Sequence, residues 1–281
     1  MKSFQNKVAA ITGAGSGIGR ALAINLAGQG CALALSDVNS AGLAETAKAC
    51  EAKGVKLTQT KVDVANRDAI YAWAEASAKA HGQINLIFNN AGVALGAAVD
   101  GMKFEDFRWI MDINFWGVVH GSQAFLPYLK ASGDGHIINI SSIFGIIGVP
   151  SQSAYNASKF AVRGFTEALR MELDMAKSPV STTCVHPGGI KTNIARAARF
   201  DDNMKALIGQ EAEQGKARFE KMFITTPETA AETILKGVRR NSRRVLIGPD
   251  AVAVDLMQRL LPTGYQKLIS LGTKLQMSQK R

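Results

Sequence analysis

The chain has 281 residues, 47% of them hydrophobic and 20% charged, with a formal net charge of +10. That balance excludes a disordered or low-complexity chain and fits a folded domain with a sizeable core. Three scattered cysteines (Cys31, Cys50, Cys184) and four dispersed histidines exclude a disulfide framework and a Cys/His metal cluster. No signal-peptide pattern or bilayer-length apolar run is visible, so the expected location is cytoplasmic.

An apolar run at 8–12 predicts the first strand and leads into Thr12-Gly13-Ala14-Gly15-Ser16-Gly17-Ile18-Gly19. Glycines allow a tight turn and let backbone N–H groups approach a pyrophosphate. The helix predicted at 20–29 adds the partial positive charge of its N-terminus. The second strand, 32–37, ends at Asp37. A carboxylate there can accept hydrogen bonds from both hydroxyls of an adenosine ribose and repel a 2′-phosphate; it can also serve as a turn or helix N-cap residue. Arg20 is the one nearby cation that could neutralise a 2′-phosphate, so the reading favours NAD over NADP.

A helix at 41–53, a strand at 56–62, a helix at 67–81 and a strand at 84–89 follow. Next come a long helical stretch at 103–131, a strand at 136–141, a second long helix at 153–177 and a strand at 180–186. The strand runs read as apolar throughout. With the alternating order, that predicts a doubly wound parallel sheet of about seven strands with helices on both faces, in a single domain. The domain is expected to span 1–250, with a C-terminal helical extension at 251–281 that is apolar and basic. This tail could extend the substrate surface, join a subunit interface or lie against a membrane.

Residues 191–223 are polar and weakly amphipathic, and predict a lid over the site. Its apolar residues are Phe200, Met204, Leu207, Ile208, Phe219, Met222 and Phe223; Arg196 and Arg199 could hold a carboxylate or face solvent. A helix at 227–240 has Pro227 in its first turn, and 244–247 is a last short strand. The basic run Lys236, Arg239, Arg240, Arg243 and Arg244 reads either as a site for an anionic partner or as a solvated helix end. Without interleaved aromatics it does not point to nucleic acid.

Tyr155 and Lys159 stand four residues apart, on one face of a helix, thirteen residues after Ser142. A free tyrosine is a poor acid or base at neutral pH, and a neighbouring ammonium is expected to lower its pKa. Ser142 can donate a hydrogen bond to a carbonyl oxygen at the reacting carbon. Ile143, Phe144, Ile147, Val149 and Pro150 follow it and predict an apolar pocket, with Ser142, Phe144, Val149 and Tyr155 against the substrate.

Taken together, these motifs resemble the short-chain dehydrogenase/reductase family over about residues 7–247. The loop Thr12 to Gly19 matches its cofactor loop, with Gly13, Ser16, Gly17, Ile18 and Gly19 expected at the cofactor. Asp63-Val64 match the pair that holds the adenine, and Asn89-Asn90-Ala91-Gly92 match the motif lining the cofactor site. Asn114, Ser142, Tyr155 and Lys159 match the catalytic tetrad, and Pro187-Gly188 with Thr192 match the segment at the nicotinamide. The resemblance implies nicotinamide-linked, metal-independent oxidoreduction at a CH–OH or carbonyl group; with Asp37 and the apolar residues of the pocket and lid, the expected reaction links NAD to a hydrophobic secondary alcohol or ketone. It assigns proton transfer to Tyr155, a hold on the nicotinamide ribose to Lys159, and a water relay to Asn114. It also implies a homotetramer or homodimer through the long helices carrying Phe104, Phe107, Trp109, Phe115, Phe125, Phe160 and Phe165. The competing readings are a catalytically silent nucleotide-binding scaffold, a basic RNA- or lipid-binding protein, and an isomerase or dehydratase on the same fold.

Overall fold

In the computed structural model, which describes residues 1–194, 197–201, 203 and 223–278, seven strands form one parallel sheet. In chain order the elements are β1 (Val8–Thr12), α1 (Gly17–Ala27), β2 (Ala32–Asp37), α2 (Ser40–Glu51), β3 (Leu57–Lys61) and α3 (Arg67–His81). Then follow β4 (Leu86–Asn89), β5 (Leu95–Gly96), α4 (Phe104–Met111), α5 (Gly117–Ala131), β6 (Gly135–Ile140), α6 (Ser153–Met175) and β7 (Val180–Pro187). The chain continues through β8 (Arg199–Phe200), α7 (Pro227–Arg239), β9 (Arg244–Ile247), α8 (Pro249–Leu260) and α9 (Tyr265–Ser278). The sheet order is β3-β2-β1-β4-β6-β7-β9; β5 and β8 pair separately.

Strand side chains alternate between two buried faces, which explains the near-continuous apolar runs. Ile11, Leu33, Phe88 and Ile138 pack on one side with Leu22 and Leu26 of α1 and Ile234 and Leu235 of α7. Ala10, Ile87 and Ile137 pack on the other side with Ile70 and Trp73 of α3 and Phe125 and Leu129 of α5. Strand β3 departs from the expected pattern. Its sequence, Leu-Thr-Gln-Thr-Lys, is half-buried to exposed, because it forms one edge of the sheet and only one neighbour covers it.

The order reverses between β1 and β4, and a crevice opens there at the carboxyl ends of the strands. The long helix expected at 103–131 is broken by a π-helical turn at Asp112–Trp116, in which the Gly117 N–H bonds the Asp112 carbonyl. Such turns re-aim side chains and cluster at functional sites. Here the turn carries Asn114. Among the described residues no helix is long and apolar enough to cross a membrane.

Candidate active site

The crevice is a cavity of about 320 Å³. The β1–α1 loop forms one wall. Gly13 has φ of +64°, and a Cβ there would lie 2.8 Å from the Ala91 Cα, so glycine is required for both backbone and space. Gly17, at φ +51°, faces Thr192; a Cβ would meet its Cγ2 at 2.9 Å. Helix α1 lacks a side-chain cap at Ser16, whereas Asn39, Asn66 and Thr226 cap α2, α3 and α7. Its first N–H groups therefore suit an anion placed in the cavity, and a pyrophosphate fits that donor set.

Asp37 reaches this loop from the end of β2. Its Oδ2 accepts from the Gly15 N–H at 2.8 Å and its Oδ1 from the Asn39 N–H at 2.8 Å. Asn39, not Asp37, caps α2. Arg20 is held within the protein through Nε and Nη2, donating to the carbonyls of Gly15 and Gly42 at 2.6 and 3.1 Å, to Glu45 at 2.8 Å and to Thr46 at 2.9 Å. Asn90 ties β4 to the loop, its Nδ2 donating to the carbonyls of Thr12 and Gly13 at 2.9 and 3.1 Å.

Ser142, Tyr155 and Lys159 line the same cavity, as do Asp63, Val64, Ala91, Gly92, Ile18, Pro187 and Gly188. Ser142 follows β6 and caps the short 3₁₀ turn Ile143–Gly145, its Oγ accepting from the Phe144 N–H at 3.1 Å, and its hydroxyl acts on the Tyr155 phenol. The Phe144 ring meets the Tyr155 ring edge-to-face at 5.9 Å. Lys159 Nζ donates to the Ile140 carbonyl at 3.0 Å and lies 5.8 Å from the Tyr155 ring centre. Asn114 is wholly buried: its Oδ1 accepts from Val93 N–H at 2.8 Å, and its Nδ2 donates to the Val93 carbonyl and Ser158 Oγ at 3.0 and 3.1 Å.

The electrostatics differ from the sequence expectation. Burial pushes the Tyr155 phenol up to about 12, partly offset by the Ser142 hydrogen bond, and burial pushes the Lys159 amine down to about 8. The ammonium does not win here because both groups are shut away from water, which penalises charge on each.

Three residues singled out in the sequence sit outside the cavity lining or are engaged elsewhere. Gly19 does not line the cavity; a Cβ there would come 2.7 Å from Asn90 Nδ2, so its role is close packing of α1 on the loop. Val149 also lies outside the lining; it packs between two core clusters, its N–H donating to Asn156 at 3.0 Å. Arg199 is committed to Asp106 at 2.7 Å and stacks 3.7 Å over the Trp109 ring, so it is no carboxylate ligand.

Most of the expected lid, including Arg196, Met204, Leu207, Ile208, Phe219 and Met222, lies outside the described residues. Its start is anchored by β5–β8 pairing and by Asn203, which bonds the backbone of Ala98 and Asp100 at 3.0–3.2 Å. Phe200 packs with the site-side cluster and Phe223 lines the cavity.

Sequence reasoning missed three residues. His186 Nδ1 donates to the Ser142 carbonyl at 2.9 Å, and burial holds its imidazole near 4, hence neutral. Asp250 Oδ2 accepts from the Gly189 N–H at 2.7 Å and pins the Pro187–Gly189 turn. Tyr265 of α9 accepts from the Gly148 N–H at 3.0 Å. His186 adjoins the Pro187-Gly188 motif and was findable; the other two partners are distant in sequence.

A family model described as short chain dehydrogenase matches residues 7–203. The Mycobacterium tuberculosis protein SadH is 51% identical over 274 residues, covering 97% of each chain. A short-chain dehydrogenase/reductase from Burkholderia phymatum in complex with NAD superposes with TM-score 0.86 at 31% identity, covering 93% of this chain and 95% of its own. A short chain dehydrogenase from Mycobacterium paratuberculosis bound to NAD gives 0.74 at 28%, covering 87% and 97%.

Proposed function

The chain belongs to the short-chain dehydrogenase/reductase family of nicotinamide-dependent oxidoreductases, and we propose that it transfers a hydride between NAD(H) and a hydrophobic secondary alcohol or ketone. The observation that carries the reading is the convergence of Ser142, Tyr155 and Lys159 on the cavity walled by the glycine loop and Asp37. The nicotinamide cofactor supplies hydride transfer at the reacting carbon. Everything else falls to the chain.

Ser142 Oγ donates to the substrate oxygen, and Tyr155 Oη exchanges a proton with it. With its pKa raised, Tyr155 is protonated at neutral pH, the form needed to donate to a forming alkoxide. Lys159 holds the nicotinamide ribose and shares a buried cluster with Asn114, which fixes the Val93 backbone beside Gly92. The Asn114 turn would anchor the relay water that returns protons to Lys159. The loop around Gly13, Ser16, Gly17 and Ile18 takes the pyrophosphate; Asp63 and Val64 take the adenine; Asn90, Ala91, Gly92, Pro187, Gly188 and Thr192 take the nicotinamide end.

An Asp37 carboxylate on the cavity wall would repel a 2′-phosphate, and Arg20, the one candidate counter-cation, already bonds Gly15 and Glu45. This supports NAD over NADP. The substrate side of the cavity is apolar, with Ile143, Phe144, Ile190, Ile194 and Phe223, and favours medium or bulky hydrophobic substrates. In this reading 1–250 is the catalytic domain, 191–223 the substrate lid and 251–281 an appended helical extension.

The test is a kinetic series of 2-alkanols and cyclic alcohols with NAD and NADP in parallel. Efficiency should rise with apolar size and with NAD. A preference for short hydroxy acids or sugars defeats the substrate assignment, and the absence of turnover with any alcohol or ketone favours the silent scaffold.

A further inference from the structure

We propose that the outward faces of α8 and α9 dock on an anionic lipid surface. Helix α8 buries Ala251 and Asp255 and leaves Val252, Leu256 and Leu260 exposed at 54%, 55% and 70%. These three are four residues apart in turn and form one outward stripe. Helix α9 faces inward through Tyr265 and Ile269, which pack on Ile146 and Ile147. Leu268 and Leu271 stay exposed at 52% and 56%, as does Leu261 between the helices at 44%. Five exposed large aliphatic side chains on two consecutive helices, with Leu261 between them, exceed what scattered surface residues need.

Charge selects the occupant. Residues 256–281 contain five Lys or Arg and no Asp or Glu. Arg259 pairs at 2.7 Å with Asp255, a carboxylate that Arg244 shares at 2.8 Å. Lys267 and Lys274, seven residues apart, share the face of α9 that carries Leu268 and Leu271 and pair with no acid among the described residues. Leucines flanked by unpaired ammonium groups match the acyl boundary and anionic headgroups of a bilayer. A two-fold contact would instead pair this patch with its own copy, and residues 256–281 offer no carboxylate to relieve Lys267 and Lys274. Exposed leucines at this density oppose a purely solvated face.

The full chain is tested by co-sedimentation with phosphatidylcholine vesicles, with and without phosphatidylglycerol, and by light scattering. Wild type should sediment with the phosphatidylglycerol vesicles, and more weakly at high salt. Each lysine contributes about fivefold to partitioning, so Lys267→Gln/Lys274→Gln should lower it about 25-fold. Leu256→Ser/Leu260→Ser should also lower it, with solution mass and circular dichroism unchanged. Binding that ignores phosphatidylglycerol, or variants that bind like wild type, overturns the proposal. So does a fall in oligomer mass in the Leu256→Ser/Leu260→Ser variant, which would make this face a subunit contact.

Discussion

Lys159 is buried at a cost that the fold bears at neutral pH. Desolvation lowers its amine from the ordinary 10.5 to about 8, with a small opposing contribution from Cys184. At about 1.4 kcal/mol for each tenfold, that difference is on the order of 3 kcal/mol against folding. Below pH 8 the amine is charged in both states, and the full penalty applies. Between pH 8 and 10.5 the folded chain releases a proton that the unfolded chain keeps, so stability rises with pH. Above that window both forms are neutral and the penalty is gone. Lys159→Met keeps the apolar stem and removes the charge, but forfeits the hydrogen bond to the Ile140 carbonyl, worth about 1 kcal/mol. The variant should therefore gain about 2 kcal/mol at pH 7, or about 5 °C in Tm. The gain should shrink to nothing or reverse by pH 10.5, while turnover is lost. Thermal unfolding followed by circular dichroism across this range is the assay. A Met variant no more stable than wild type at pH 7, or a difference constant with pH, refutes the reasoning.

Tyr155→Phe removes the proton donor and should lower kcat by about 10²–10⁴-fold with NADH binding, read by nicotinamide fluorescence, almost unchanged; near-normal turnover would displace Tyr155 from the mechanism. Asp37→Ala loses two backbone hydrogen bonds, to Gly15 and Asn39, and a charge. At partial exposure, a carboxylate beside a 2′-phosphate costs roughly 2 kcal/mol, so preference for NAD over NADP should fall about 30-fold; equal wild-type efficiency with both cofactors contradicts the assignment. Phe104 on α4, Trp116 at the end of the π-helical turn and Phe160 on α6 are exposed and should be covered in a homotetramer or homodimer. Light scattering at micromolar concentration should show a multiple of 29.9 kDa, and a monomeric mass counts against self-association.

The sheet was legible because its central strands are buried on both faces, so each shows as a run such as Ile87-Phe88 or Ile137-Ile138. Strand β3 was placed for its position between helices, not its composition, since an edge strand needs no apolar alternate face. The glycine loop was legible because Gly13 and Gly17 answer a demand for positive φ and Gly19 one for close approach. The π-helical turn was not, because the weak helix formers Asp112–Trp116 do not by themselves distinguish one extra residue per turn from a poor stretch of α-helix; Asn114 is tied there by buried hydrogen bonds to Val93 and Ser158. The roles of Asp250 and Tyr265 were hidden for another reason. Their partners, Gly189 and Gly148, lie 61 and 117 residues away, and only the fold brings them together.

The same long-range polar contacts explain how a strained centre persists. Behind Lys159 the sheet is crossed by a chain of buried polar groups. Asn89 donates to Asn139 at 2.8 Å and to Ser122 at 3.1 Å, and Asn139 donates to Thr166 at 3.0 Å. Thr166 in turn bonds the Val162 carbonyl, and Ser141 Oγ bonds the Lys159 carbonyl at 2.8 Å. These groups have no water to compete for them, so each bond is stronger than at the surface and expensive to leave unmade. They hold α6 against the end of β6, at Lys159 through Ser141 and two turns further along through Thr166. The penalty of the buried amine is thus localised: relaxing it by moving α6 would break several satisfied hydrogen bonds to relieve one charge. That arithmetic keeps Lys159 in place with a depressed pKa rather than letting it swing to solvent, and it keeps Tyr155 protonated beside Ser142.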